Sequence, residues 1–215
     1  PQKLRMIMED LGPTYIKLGQ IMSMRSDILP QTYCDELTRL RTNVKPMEFE
    51  TILQIVEQEY HVPPKSIFSS IDPVPYGSAS IAQVHAAELK EGGKVVIKVQ
   101  RPGIYQIMAE DIQLLRKAVG ILKMIGGTGE VLDFRMIIDE MWTVAKEEMD
   151  FLIEANHIEE FQRLNSGIEY VTCPKVERKY TTSRILMMEH IQGIQIDKLE
   201  KLKEEGYDIK EICQK

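Results

Sequence analysis

Cysteine is scarce in this sequence: Cys34, Cys173 and Cys213 are the only three in 215 residues. They are odd in number, widely spaced and free of any C-x-x-C pair, which argues against a disulfide framework or a zinc site and for a reducing, cytosolic compartment. Long apolar runs are also lacking. A bilayer-spanning helix needs roughly 20 apolar residues, and the best stretch, 114–125, is interrupted by Lys117 and Lys123. No charged-then-apolar leader opens the chain. Its first residue is Pro1 and its last ones, 208–215, continue a charged helical pattern, so it reads as a piece of a longer polypeptide. Positive charge is in deficit: 27 basic residues face 33 acidic ones, a net charge of −6. A broad phosphate-neutralising surface is therefore not expected, nor is a nucleic-acid partner, although a local basic patch stays open. The four histidines, His61, His85, His157 and His190, show neither metal-ligand nor nucleophile–base spacing.

The remaining composition, 43% hydrophobic and 28% charged, is that of a globular chain with one large domain or two small ones. From 2 to 60 the apolar residues recur at helical spacing, as in Leu11, Tyr15, Leu18 and Met22, with breaks at Gly12-Pro13, Pro30 and Pro46. About four helices are predicted there. Pro63, Pro64, Pro73 and Pro75 then lead into β-rich segments at 80–89 and 94–100, joined by Lys90-Glu91-Gly92-Gly93 as an antiparallel hairpin. Two long amphipathic helices follow, 104–125 and 134–164, separated by Gly126-Gly127-Thr128-Gly129. Short strands are expected at 171–176 and 184–189, and a charged helix at 197–215. The fold class is α+β.

Hairpin, long helix, then further strands is the order of the small lobe of a protein-kinase-like fold. Val95-Val96-Ile97-Lys98 places a lysine near the end of an apolar strand, where its ammonium group would reach nucleotide phosphates. The same tetrapeptide also suits a lysine extending from an ordinary strand end. No G-x-G-x-x-G phosphate loop precedes it. In its place stands Gly77-Ser78-Ala79-Ser80-Ile81-Ala82-Gln83-Val84-His85. Small side chains there let backbone N–H groups approach phosphate oxygens, but each Cβ narrows the approach compared with glycine. A tightly packed strand beneath a helix would use similar residues.

Four blocks in this order resemble the signatures of the UbiB family of atypical, protein-kinase-like proteins. They are Lys17-Leu18-Gly19-Gln20, the alanine-containing 77–85 segment, Val96-Ile97-Lys98-Val99-Gln100-Arg101-Pro102, and Glu148-Met149-Asp150 with Glu154-Ala155-Asn156. Gly77 stands where that family usually has alanine. The resemblance covers roughly 11–196. It implies a helical extension folded over the active site, adenine nucleotide (ATP or ADP) as ligand, ATP hydrolysis, and a link to isoprenoid-quinone (ubiquinone) biosynthesis, often at membranes. It further implies that Glu154 pairs with Lys98 as the catalytic couple and that Glu148 meets Lys17 of the extension.

Helix geometry adds a constraint: on one straight helix Asp150 and Glu154 share a face, whereas Glu148 lies about 200° from Asp150, so the three carboxylates should have different partners. Lys17 and Gln20 share a helical face, and Gly19 between them suggests close packing against another backbone. An extension pointing this pair into the cleft would occupy space needed by a protein substrate, favouring a small-molecule or lipid-linked role.

Ile185-Leu186-Met187 runs into Met188-Glu189-His190-Ile191-Gln192-Gly193, which resembles the hinge between kinase lobes. Adenine would be read by Glu189 C=O and Ile191 N–H, with Met188 at the rear. The nucleotide-contacting set is thus Gly77, Ser78, Ala79, Ser80, Ile81, Ala82, Gln83, Met188, Glu189 and Ile191, with Lys17, Gln20, Glu148 and Asp150 regulatory. Neither D-x-x-x-x-N nor D-F-G follows the hinge. No metal ligand is expected within the chain, Mg2+ being expected only with further C-terminal residues, and the chain by itself is expected to be inactive. The division expected is an extension at 1–62, a small lobe at 63–191 and the start of a large lobe at 192–215. Isoprenoid-quinone lipids, their biosynthetic proteins and a peripheral membrane surface are the partners that the resemblance implies. A pseudokinase or a non-enzymatic helical scaffold is the rival reading.

Overall fold

The computed structural model describes residues 1–40, 45–124 and 130–214. The predicted separator Gly126-Gly127-Thr128-Gly129 lies outside them. Helices α1 (Gln2–Leu11), α2 (Pro13–Ser23), α3 (Gln31–Leu37) and α4 (Phe49–Tyr60) come first. Gly12 separates α1 from α2 with φ of 102°, a backbone that side chains disfavour, and Pro13 takes the first position of α2, where no N–H is needed. Ile16 and Met22 of α2 join Leu37, Leu40 and, from further along the chain, Ile137 in one apolar cluster. Gly19 lies within it. A Cβ there would collide with Leu40 Cδ1 and lie 2.7 Å from Met8 Sδ, so the close approach predicted at this glycine is made to side chains, not to another backbone.

Strands β1 (Phe68–Ile71), β2 (Gly77–Ser78), β3 (Ala82–Leu89), β4 (Lys94–Gln100) and β5 (Ile185–Glu189) form one antiparallel sheet. Its order is β1-β3-β4-β5, with β2 also on β3. Because neighbouring side chains on a strand point to opposite faces, the register sorts residues into two sets. Gln83, Val99 and Ile185 lie across from one another, as do His85, Ile97 and Met187. These face α4, whose Ile52, Ile55 and Val56 complete a core with Val95, Ile97, Val99, Ile185 and Met187. So α4, expected to belong to the helical extension, packs on the sheet. Val84, Lys98 and Leu186 form the opposite set with Ala86, Val96 and Met188.

Helix α5 (Ile104–Met124) packs against α6 (Glu130–Glu148) through Ile112, Ile138 and Met141. The single helix predicted at 134–164 is two, α6 and α7 (Phe151–Leu164). The break has one local and one distant cause. Asp150 is extended (φ −111°, ψ 97°) and its carboxylate accepts from Leu152 N–H as an N-cap, while Phe151 N–H donates to Ser183 C=O at 3.0 Å instead of continuing the helix. The strand predicted at 171–176 is reduced to a bridge between Val176 and Met188. The charged C-terminal segment forms two short helices, α8 (Leu199–Glu204) and α9 (Ile209–Gln214).

Candidate functional site

Two cavities on the sheet face opposite α4 hold the residues of interest. The first, of about 410 Å³, is lined by Val84 and Val96 from the strands, Tyr76 ahead of β2, Met188 and Glu189 at the end of β5, and His190 to Gly193 beyond it. His190 N–H donates to Lys94 C=O and Gln100 N–H to Arg184 C=O, so in the alternating antiparallel ladder Glu189 turns its own backbone away from β4, its N–H reaching Lys175 C=O at 2.8 Å. Tyr76 spans the mouth, its hydroxyl 3.0 Å from His190 Nε2 and its ring edge-on to the imidazole.

The second cavity, of about 380 Å³, is lined by Lys98, Val144, Glu147, Glu148, Ile153, Glu154 and His157. Lys98 Nζ donates to Glu154 Oε2 at 2.6 Å and sits 4.9 Å from the centre of the Phe151 ring. Both partners keep solvent access, with side chains 27% and 35% exposed, so a phosphate-bearing ligand can reach the ammonium without unfolding anything. On the far bank Lys17 of α2 is paired with Glu148 at the end of α6. A second tie holds the extension in place: buried Thr14 donates from Oγ1 to Asp111 Oδ2 of α5 at 2.6 Å. Because the helix breaks at Asp150, Glu148 and Glu154 belong to different helices and line the same cavity, yet the three carboxylates have different partners as expected, Lys17 for Glu148, Leu152 N–H for Asp150 and Lys98 for Glu154. Asp150 is occupied as the α7 cap and Gln20 lines neither cavity.

The segment 77–83 is largely built into the sheet and its turn. Gly77 and Ser78 form β2, and Ala79 N–H donates to Ala82 C=O at 2.8 Å, closing a tight turn. Gly77 has open space where a Cβ would stand, so the alanine usual in the resemblance would fit without a clash. Ile81 packs with Ile104, Met108 and Met149, and Ala82 with Phe151 and Leu186. Gln83 does not face the cavities. Strand alternation puts it on the α4 side, fully buried, where its amide accepts from Met47 N–H at 2.6 Å and donates to Met47 C=O at 3.2 Å. Ser78 Oγ is likewise committed, to Gln83 and to Arg101. Ala79, Ser80 and Ile81 remain the members of the set whose backbone lies at the turn itself.

Sequence reasoning passed over Tyr76, His190, Glu147, His157 and Arg101. Tyr76 and His190 flank residues already singled out, but nothing local signals that they meet across 114 positions. Arg101 lay within a recognised block and received no role. Burial pulls its guanidinium below the ordinary arginine range. Among the described residues no group of three or more His, Cys, Asp or Glu side chains is placed to hold a metal ion.

An antiparallel sheet with a strand-borne lysine, a helix-borne glutamate and a strand leading into a rim of backbone groups is the small-lobe arrangement of a kinase-like fold. The family model of the ABC1 atypical kinase-like domain matches residues 39–215, and the chain belongs to that family. An uncharacterised protein in the hydrogenase 1 5′ region of Clostridium pasteurianum is 42% identical over all of this chain and 40% of its own length. The chloroplast protein ACTIVITY OF BC1 COMPLEX KINASE 8 of Arabidopsis thaliana is 40% identical over 94% of the chain and 27% of its own length. A Pseudomonas fluorescens protein bearing the name UbiB, with the description protein kinase, is 34% identical over 99% of the chain and 40% of its own. The chain thus spans no more than 40% of the length of these relatives. Rv3197 of Mycobacterium tuberculosis, solved with erythromycin, shares the fold with a TM-score of 0.62 and 24% identity over 91% of this chain and 49% of its own. No helix among the described residues is long and apolar enough to cross a membrane.

Proposed function

We propose that this chain is the nucleotide-binding small lobe, with its helical extension, of an atypical kinase or ATPase that acts in or regulates isoprenoid-quinone biosynthesis. The observation that carries the reading is the Lys98–Glu154 pair, 2.6 Å apart, on the same sheet face as a cavity whose apolar walls and backbone rim suit a purine. Adenine fits between Val84, Val96 and Met188, with Glu189 C=O and Ile191 N–H as its hydrogen-bonding groups. The phosphates then extend past the 79–81 turn to Lys98. Glu154 holds the lysine at that spot, so the ammonium needs little reorganisation when charge arrives.

The cavity around Lys98 also holds Glu147, Glu148 and Glu154. Such an acidic surround weakens the attraction of a bare polyphosphate and favours one already partly neutralised by Mg2+, whose remaining ligands would come from a large lobe beyond this chain. The Lys17–Glu148 pair places the extension at that bank, where it restricts the cleft to small acceptors. The quinone pathway and a peripheral membrane site rest on relatedness to UbiB proteins.

Replacing Lys98 tests the reading. Lys98→Ala in the intact protein should weaken ATP and ADP binding by about tenfold or more, the loss of a charge-assisted contact worth about 1.5–3 kcal/mol. Its melting temperature should stay within a few degrees, because the side chain is partly exposed. Calorimetric titration beside thermal melting measures both. Unaltered affinity would defeat the assignment, and an intact protein that binds no adenine nucleotide would be a scaffold.

A further inference from the structure

The 79–81 turn is held from outside by one residue. Arg101 follows β4, and its backbone N–H donates to Ile81 C=O at 2.8 Å. Its guanidinium donates from Nε to Ala79 C=O at 2.8 Å, and from one terminal nitrogen to Ser78 Oγ at 2.7 Å and to Lys45 C=O at 3.0 Å. Ser78 Oγ in turn donates to Gln83 Oε1 at 3.3 Å, and the Gln83 amide is closed on both backbone groups of Met47 and on His85 Nε2. A single network therefore joins the turn to residues 45–47, which lead into α4.

We infer that Arg101 is a positioning residue: it clamps the 79–81 turn and couples the seating of a nucleotide's phosphates to the segment that runs from the helical extension into α4. The inference rests on the nucleotide reading above. Two features assign the clamp to the guanidinium's shape as well as its charge. Its donors diverge, one toward the turn's carbonyl and another toward a hydroxyl and a second chain segment, a spread that a planar fork spans and one ammonium does not. Three of its five N–H donors, on Nε and one terminal nitrogen, are already spent on protein acceptors, so this edge of the guanidinium acts through the turn and not by gripping phosphate. A turn lacking the usual glycines and held this way presents its backbone in one preset conformation, which lowers the ordering cost of binding. Coupling follows because residues 45–47 supply acceptors and a donor to the same network. A change at residues 45–47 reaches the turn without passing through Lys17 and Glu148.

The test uses Arg101→Met, Arg101→Lys and Ser78→Ala in the intact protein. Amide hydrogen exchange at 78–82 is measured without nucleotide, and ATP and ADP affinities are measured alongside. Arg101→Met and Arg101→Lys should each speed exchange at the turn by about tenfold and weaken nucleotide binding by about three- to tenfold, with exchange in β4 and β5 unchanged. Ser78→Ala, which keeps the arginine but removes one acceptor, should fall between them and the unsubstituted protein. It keeps the question answerable if Arg101→Met fails to fold. Arg101→Lys indistinguishable from the unsubstituted protein would overturn the clamp in favour of charge alone. Arg101→Met that weakens binding without loosening the turn would make Arg101 a direct phosphate contact, again overturning it. If the unsubstituted protein binds neither ATP nor ADP, the nucleotide reading falls, and turn exchange alone decides whether the clamp exists.

Discussion

On β4, adjacent residues serve opposite faces of one sheet. Ile97 is 0% exposed, sealed between His85, Met187 and the α4 side chains, while Lys98 looks into a water-accessible cavity with its side chain 27% exposed. The α4 face is closed by apolar packing and by a network in which even its polar members, Gln83 and His85, are fully buried and hydrogen-bonded. The cavity face carries the paired charges. At this strand position packing and solvated charge are thereby separated by a single step: the closed face adds transfer free energy through Ile97, and the open face, apolar at Ala82 and Leu186, leaves Lys98 solvated enough to meet a ligand.

The largest effect expected from breaking this division is on the closed face. Ile97→Ala removes buried methyl groups at a site where the neighbours are fixed by strand and helix, and should cost about 2–5 kcal/mol of stability in denaturant unfolding. Nucleotide affinity of the folded molecules should be unchanged. A loss below about 1 kcal/mol, or a large affinity change, would show that the two faces are not separate.

A smaller effect is expected at the margin of the same face under alkaline conditions. Tyr60 packs beside that core and donates to Tyr180 C=O at 2.5 Å, and burial, then the nearby Glu59 and Tyr180, push its ionisation well above the ordinary tyrosine range. The folded pKa exceeds the unfolded one, so the stabilising contribution is whole below about pH 10 and is lost as pH rises from there toward the folded value, at up to about 1.4 kcal/mol per pH unit. Tyr60→Phe should flatten that part of the alkaline unfolding curve. An unchanged slope would remove Tyr60 as its source.

The smallest effect concerns the open face's link to the extension. Lys17 and Glu148 have side chains 16% and 42% exposed, so their coupling in a double-mutant cycle on unfolding should fall below about 1 kcal/mol. A coupling of about 3–5 kcal/mol would instead mark a buried pair. Nucleotide preference in the same variants tells whether the extension is felt in the cleft.

Much of this architecture is legible without coordinates. The alternation of Val95 to Val99, the Gly92-Gly93 turn and the breaks at Gly12-Pro13 and Pro30 each follow from local chemistry. The family blocks pointed to Lys98 with Glu154 and Lys17 with Glu148, and the structure brings both pairs together. The division of α6 from α7 was hidden because apolar spacing continues across Met149 and Phe151, and the N–H that ends helical continuity is taken by Ser183, far along the chain. Gln83 was misplaced for a different reason. The motif puts it in the nucleotide-contacting set, whereas the period of two along the strand predicted at 80–89 and found at Ala82–Leu89 turns Gln83 toward α4.

What the sequence by itself determined is therefore the main helices, the β3–β4 hairpin, β5 and their order along the chain, since propensity, capping and period act over a few neighbouring positions. Only the tertiary structure decided which face each strand shows to α4, that Arg101 reaches both the turn and Lys45, and that Tyr76 meets His190. Those contacts join segments 22, 56 and 114 positions apart, and side chains so distant acquire a common geometry only when the packed core between them fixes their backbones.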